Sequence, residues 1–204
     1  LATSYLLFDW LQDNAMFGAD QVIIGSASSK TGLGLCRYLA EPKDRTYKIV
    51  GLTSEGNREF VQSLGTCDSV LTYDQISDIA RVPSVYVDMS GNSDVKARLH
   101  DHLDDQLKHS AAVGLSHWDR FAPAQKLAGP KPEFFFAPAQ VAKRRADWGS
   151  GVIEKQITAA WKRIASDAAE WLTLQVQDGV AASEPVYQAL ASGQADPKHG
   201  FIIR

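Results

Sequence analysis

At 204 residues, with 45% hydrophobic and 22% charged positions, the chain can bury one good core and has the make-up of a globular domain. Its net charge of −3, with no long basic run, argues against a nucleic-acid partner. No stretch approaches the roughly 18 apolar residues of a membrane-crossing helix, so no membrane partner is expected.

Residues 2–13 carry Tyr5, Leu6, Leu7, Phe8, Trp10 and Leu11 and read as a helix with a broad apolar face. The stretch LATSYLLFDWLQDN lacks a basic region and a cleavage site and does not read as a signal peptide. Gly18 closes the connection to an apolar strand at 21–25. The loop Gly25–Thr31 (GSASSKT) follows, and from Gly32 onward Leu33, Cys36, Leu39 and Ala40 recur at helical spacing. A buried strand, a tight loop of small residues and an amphipathic helix make a phosphate-binding turn, because N–H groups at the helix start face the anion. Ser26, Ser28, Ser29 and Thr31 add hydroxyl donors, Lys30 adds a positive charge, and Gly32 lets the helix close on its strand. Neither standard motif fits cleanly. A Walker A loop needs G-x-x-x-x-G-K-[ST], whereas Lys30-Thr31 follows Gly25 one residue early and no glycine precedes the lysine. Val85–Asp88 still resembles the acid-tipped strand of a nucleotide triphosphatase. In the dinucleotide fingerprint G-x-G-x-x-G, Ser and Lys stand here where flexible glycines are usual.

Tyr47–Leu52 reads as a second strand, with Thr53-Ser54-Glu55-Gly56-Asn57 as its turn and a helix at about 57–64 closed by Gly65. Ser69–Tyr73, Ser84–Asp88 and Ala111–Leu115 are further strands, separated by a helical turn at 74–81 and a helix at 93–107. Glu133–Ala137 is a sixth strand. A long helix at 151–175 places Ile153, Ile157, Trp161, Ile164, Ala168 and Trp171 on a packing face. A short helix at 184–192 and a terminal strand, Gly200–Arg204, complete the chain. Continuously apolar strands alternating with helices predict an α/β fold, a doubly wound parallel sheet (Rossmann-type) with extra C-terminal helices. Residues 1–140 form the dinucleotide-binding domain on this reading, and 141–204 a C-terminal helical extension with the terminal strand.

Ligands of such sheets sit outside the carboxyl ends of the strands, and here every such end is small or polar: GSASSKTG, LTSEGN, TYD, DMSGN and GLSHW. The candidate cofactor-binding residues after the first loop are therefore Thr53, Ser54, Arg58, Tyr73, Ser90, Gly91, Gly114, Leu115 and His117. An NAD site usually offers an acid at the second strand end. Here Thr53 and Ser54, with Arg58 in reach, suit a 2′-phosphate, so NADP is the expected cofactor. His117 is either a proton donor or a structural histidine. Cys36 and Cys67 form no C-x-x-C and the five histidines show no zinc spacing, so no metal is expected and reduced thiols suit a cytoplasmic chain.

With its segments in this order the chain resembles the nucleotide-binding half of medium-chain dehydrogenase/reductases, in particular their zinc-free, quinone-reductase-like branch. Ala2-Thr3-Ser4-Tyr5 and Gly25–Gly32 stand where that family has its opening helix and glycine-rich loop. Leu64-Gly65, Val70–Tyr73 and Asp88–Gly91 look like its Leu-Gly-Ala, Val-Ile-Tyr and Asp-x-x-Gly segments, and Arg58 falls where NADP-dependent members carry a basic residue. More narrowly, ASSKTG, GLTSEGN, VDMSGN and GLSHWD are similar to a domain-of-unknown-function family within the superfamily. The resemblance covers about residues 1–140 well and DPKHGFIIR more loosely, and it departs at Ser29-Lys30-Thr31-Gly32, which replaces a Gly-Gly-Val-Gly turn. It implies an NADP-dependent oxidoreductase passing hydride to a carbonyl, quinone or enone-type small molecule. Residues 141–204 would then be a remnant of the catalytic domain, with the catalytic residues outside this chain. It further implies a homodimer in which the edge strand Phe134–Phe136 pairs with its copy. A non-catalytic nucleotide-binding or redox-sensing module is the alternative reading.

Overall fold

The computed structural model describes residues 2–113, 126–193 and 195–204. The apolar runs become strands β1 (Gln21–Gly25), β2 (Lys48–Thr53), β3 (Ser69–Thr72), β4 (Ser84–Asp88) and β5 (Leu107–Ala112), joined by a short β6 (Glu133–Phe134). They form one sheet in the order β3-β2-β1-β4-β5-β6, parallel throughout. Every residue of β1 and β4 is buried. Covering on both faces is why these runs are apolar without alternation. The intervening helices are α1 (Ala2–Asp13), α2 (Lys30–Ala40), α3 (Glu55–Ser63), α4 (Ser93–Leu103), α5 (Ala137–Trp148) and α6 (Val152–Ala168). On one face Ile23, Val50, Leu52, Tyr86 and Leu107 pack with Val95, Leu99 and Leu103 of α4 and with Ile76 and Ile79. The doubly wound Rossmann-type sheet expected from the sequence is the fold of the chain.

Helix α1 packs on α2 and α5, and its Tyr5 hydroxyl also donates to Gln156 Oε1 of α6 at 2.7 Å. Against α2, Phe8 stacks on Tyr38 with ring centroids 6.2 Å apart, Tyr5 meets the same ring edge-on at 5.6 Å, and Ser4 donates to the Thr31 carbonyl at 2.9 Å. Against α5 the contact is ionic. Asp9 Oδ2 accepts from Gln140 Nε2 at 2.6 Å and from Arg144 Nε at 2.7 Å. Arg144 also pairs with Asp13 at 3.0 Å and lies over the Trp148 ring at 4.3 Å.

Several elements differ from the sequence reading. The helix expected over 93–107 ends at Leu103, where Asp104 turns left-handed at φ 46°, and β5 therefore begins at Leu107, four residues ahead of the expected Ala111. Helix α5 was not anticipated, because its buried residues are Gln140 and Arg144, which carry no apolar period. Only Glu133 and Phe134 of EFFFA are strand; Phe135 turns into the core 5.3 Å from Trp10, while Phe134 and Phe136 stay exposed. The expected helix over 151–175 stops at Ala168, and Thr173–Gln177 form β7, paired in parallel with β8 (His199–Ile203) in a separate two-stranded sheet. On α6, Ile153 and Ile164 are buried, but Trp161 is 51% exposed rather than part of a core stripe. Helix α7 (Ser183–Ala191) precedes β8. The chain divides into two compact units, Leu1–Thr158 and Ala159–Arg204. No described helix is long and apolar enough to cross a membrane.

Candidate functional site

Parallel register brings the strand ends level. Gly25 pairs with Leu52 on one side and Asp88 on the other, and Thr53 pairs with Thr72. The residues that follow, Ser26, Ser54, Tyr73 and Met89, therefore leave the sheet together.

The first loop is shaped by two close approaches. A Cβ on Gly25 would lie 2.6 Å from the Tyr86 hydroxyl, and one on Gly32 would lie 2.7 Å from the Ser26 carbonyl oxygen. Both positions are therefore closed to any larger residue. Ser26 reverses the chain in the left-handed region at φ 56°, a conformation that costs a non-glycine residue about 1–2 kcal/mol. The Ala27 N–H then donates to the Leu52 carbonyl at 2.8 Å, pinning the loop to β2. Ser29 caps α2, its Oγ accepting the Gly32 N–H at 3.0 Å, which meets one of the first-turn donors that a helix leaves open. Lys30 stands exposed at the first helical position, and Ser4 holds the Thr31 carbonyl from outside.

The second strand end is tied to the first. Thr53, fully buried, donates to Ser28 Oγ at 3.0 Å, and Asn57 Nδ2 donates to the same oxygen at 3.2 Å. Accepting twice leaves the Ser28 hydroxyl its own proton to donate. Ser54 begins α3 without making a side-chain cap bond, and Arg58 follows one turn on, half-buried. Tyr73 opens a 3-10 turn, Tyr73–Asp78, rather than ending β3. Burial pushes its phenol up, against the opposing effect of a hydrogen bond with Ser26.

At the end of β4, buried Asp88 folds the next turn. Its Oδ1 accepts from Ser90 N–H at 2.9 Å, Ser90 Oγ at 2.8 Å and Gly91 N–H at 3.0 Å, with Gly91 left-handed at φ 66°. Asn92 caps α4 through the Asp94 and Val95 N–H groups. Among the described residues Oδ2 of Asp88 has no hydrogen-bond partner, and Lys96 Nζ lies 3.9 Å from it. The neighbouring Tyr86 hydroxyl is pushed well up, by burial first and the Asp88 charge second.

Ser26, Ser28, Ser29, Lys30, Thr31, Gly32, Thr53, Ser54, Tyr73, Ser90 and Gly91 thus lie at adjacent strand ends, with Arg58 on the helix that leaves one of them. Their hydroxyls divide: those of Ser29, Thr53 and Ser90 are committed within the protein, and that of Ser28 bridges loop and helix. Gly114, Leu115 and His117 lie outside the described residues. Sequence reasoning passed over Ser4 and Asn57, whose partners lie 27 and 29 residues away, and Tyr86, whose hydroxyl closes on Gly25. It had a signal for Asp88, an acid two residues before a Ser-Gly pair, which is a common turn-forming arrangement. Among the described residues no group of three or more His, Cys, Asp or Glu could hold a metal ion.

Structures of similar fold include the yhdH oxidoreductase from Salmonella enterica in complex with NADP, at 16% identity and a TM-score of 0.60, covering 100% of this chain and 60% of that one. CurA from Vibrio vulnificus in complex with NADPH matches at 12% identity and a TM-score of 0.66, with 100% and 61% covered. YHDH of E. coli K-12 with bound NADPH matches at 16% and 0.62, with 99% and 60% covered. The chain therefore spans about 60% of the length of these proteins. The resemblance to the zinc-free reductase branch is borne out at the level of the fold. No curated protein matches the sequence. The match that fixes the family runs over residues 1–196, nearly the whole chain, and on it the chain belongs to the family described as Protein of unknown function (DUF2855).

Proposed function

We propose that this chain is the cofactor-binding portion of an NADP-dependent oxidoreductase, holding the dinucleotide across the carboxyl ends of β1, β2 and β4. The observation that carries this reading is the cradle at Gly32, where a side chain would strike the Ser26 carbonyl and the loop closes over the start of α2. Such a turn admits a pyrophosphate against backbone N–H groups and a helix dipole. Lys30 adds charge to it, and Ser28 has a proton to donate. Ser54 and Arg58 would take the 2′-phosphate, and the Ser90-Gly91 turn would border the far half of the dinucleotide. Glu55, exposed in the first turn of α3, opposes a phosphate there, which makes Arg58 the residue on which the preference rests. When bound, the cofactor supplies a hydride for a carbonyl, quinone or enone-type small molecule. The likeness to proteins solved with NADP or NADPH supports the same reading.

Calorimetric titration with NADPH, NADH and ATP tests it. NADPH should bind most tightly. Arg58→Ala should weaken NADPH about tenfold or more by removing a charge-assisted contact, while leaving NADH nearly unchanged. Lys30→Ala should weaken both alike. Equal losses from Arg58→Ala would remove the 2′-phosphate assignment, and binding of ATP alone would replace the reading with a triphosphatase.

We further propose a homodimer formed through the open edge of β6. Phe134 and Phe136, 60% and 58% exposed, stand beside that edge, and two exposed aromatic rings next to a strand with one side unpaired favour contact with a second copy. Phe134→Asp with Phe136→Asp should give a monomer in light scattering. Phe135 is no test of this interface, since it is buried beside Trp10 and a charge there would disturb the core.

A further inference from the structure

Ser28 sits where the first loop meets the end of β2, and its hydroxyl oxygen is held from two sides. Thr53 Oγ1 donates to Ser28 Oγ at 3.0 Å, and Asn57 Nδ2 donates to the same oxygen at 3.2 Å. Thr53 has no solvent exposure, so its bond comes from the interior, whereas Ser28 and Asn57 are half-buried. Asn57 is fixed in the first turn of α3, its N–H donating to the Ser54 carbonyl at 3.0 Å. The loop is anchored beside Ser28 by the bond from the Ala27 N–H to the Leu52 carbonyl. Thr53 adjoins Ser54 in the chain, and Asn57 adjoins Arg58. The two residues that grip Ser28 are therefore neighbours of the two assigned to the 2′-phosphate.

A hydroxyl oxygen has two lone pairs and one proton. With both lone pairs taken by Thr53 and Asn57, Ser28 can only donate. Such a group favours an anionic oxygen, because a charge-assisted hydrogen bond is stronger than a neutral one. A ribose hydroxyl also accepts, but as a neutral group it gains less.

We propose, on the NADP reading above, that Thr53 and Asn57 are positioning residues that fix Ser28 as a dedicated donor to the 2′-phosphate. Ser28 thereby adds to the preference that Arg58 sets, and Thr53 and Asn57 act through its oxygen. The amide at position 57 matters because it donates. An aspartate of the same shape can only accept, so the Ser28 proton would turn to it and away from the ligand.

The test is calorimetric titration of the whole chain with NADPH and NADH, each variant read as the ratio of the two dissociation constants. Ser28→Ala should lower the preference for NADPH about fivefold, since the charged acceptor loses more than the neutral one. Asn57→Asp should lower it about tenfold or more, by turning the serine proton and adding a like charge. Adding Ser28→Ala to Asn57→Asp should lower it no further, because the proton deleted has already turned away. Thr53→Val, which removes the hydroxyl, should lower the preference about threefold, and Thr53→Ser should keep it. The threonine variants carry the test by themselves if those in the loop and helix fold poorly. Equal losses of NADPH and NADH in Ser28→Ala would overturn the proposal. So would a full further loss in the double variant, which would reduce Asn57→Asp to an effect of charge. A parent chain that binds NADPH no more tightly than NADH would remove the NADP reading and this proposal with it. Loss of preference in Arg58→Ala but not in Ser28→Ala would remove this proposal alone.

Discussion

Helices α2 and α5 both hold α1, and they do so with opposite materials. Helix α2 buries Leu33, Leu35, Cys36, Tyr38 and Leu39, and its grip on α1 is aromatic and apolar. Helix α5 buries Gln140 and Arg144, and its grip is a charge network centred on Asp9, itself 6% exposed. The first contact is non-directional and scales with area removed from water. The second depends on each polar group finding its partner, because an uncompensated buried charge costs more than the pair contributes. One interface should therefore fail gradually and the other abruptly.

The largest expected effect is on the apolar side. Phe8→Ala, which removes a ring 9% exposed and stacked on Tyr38, should lower unfolding free energy by about 3–5 kcal/mol through lost transfer and a residual cavity. In urea titrations that loss should be independent of salt. Arg144→Ala should cost somewhat less, about 3 kcal/mol, by stranding Asp9 in a buried site. Most of that should return in the double variant Asp9→Leu with Arg144→Met, a recovery with no counterpart at Phe8. If the double variant is no better than the single, the network contributes net stability and the contrast is weaker than drawn.

Acid should separate the interfaces further. Burial holds His100 and His109 below the ordinary 6.5, so the unfolded chain takes up protons first and stability falls as pH drops below about 6.5. His109 stacks on Phe17 at 4.0 Å, and among the described residues its Nε2 has no hydrogen-bond partner, so His109→Phe should reduce that fall in thermal scans. The Asp13 carboxyl is held below 3.8, chiefly by its hydrogen bond with Lys143 and also by the Arg144 charge. Its contribution is present above 3.8 and is lost as pH falls below it, loosening α5 before α2. The smallest effect belongs to Lys143→Ala on the exposed rim, where solvent screens the ion pair; its melting curve should overlay the parent's at neutral pH.

The same contrast explains what could be read in the sequence. Strands β1, β2 and β4 were visible because burial on both faces leaves unbroken apolar runs, and α2 because its buried residues repeat at helical spacing. Helix α5 was invisible because periodicity counts apolar residues, while its inner side is an amide and a guanidinium whose partner, Asp9, lies 131 and 135 residues earlier. Strand β7 was absorbed into a helix because Trp171 fell on the apolar stripe, although TLQVQ alternates with the two-residue period of a strand. At the candidate site the loop of small hydroxyl residues was legible. The use of Ser28 as a bridge was not, since Thr53 and Asn57 lie 25 and 29 residues further on.

The ionic contact of α1 also bears on synthesis. Helix α1 leaves the ribosome long before α5, and at about 5–20 residues per second the 135 residues between Asp9 and Arg144 take on the order of ten seconds to make. Helix α2 arrives early and can cover its share of α1 within the first seconds. The surface that waits longest carries Asp9 and Asp13, which water solvates well, whereas an apolar surface left bare for that interval would attract other nascent chains. Placing charge on the late contact and hydrocarbon on the early one keeps the growing chain soluble until its last partner is in hand.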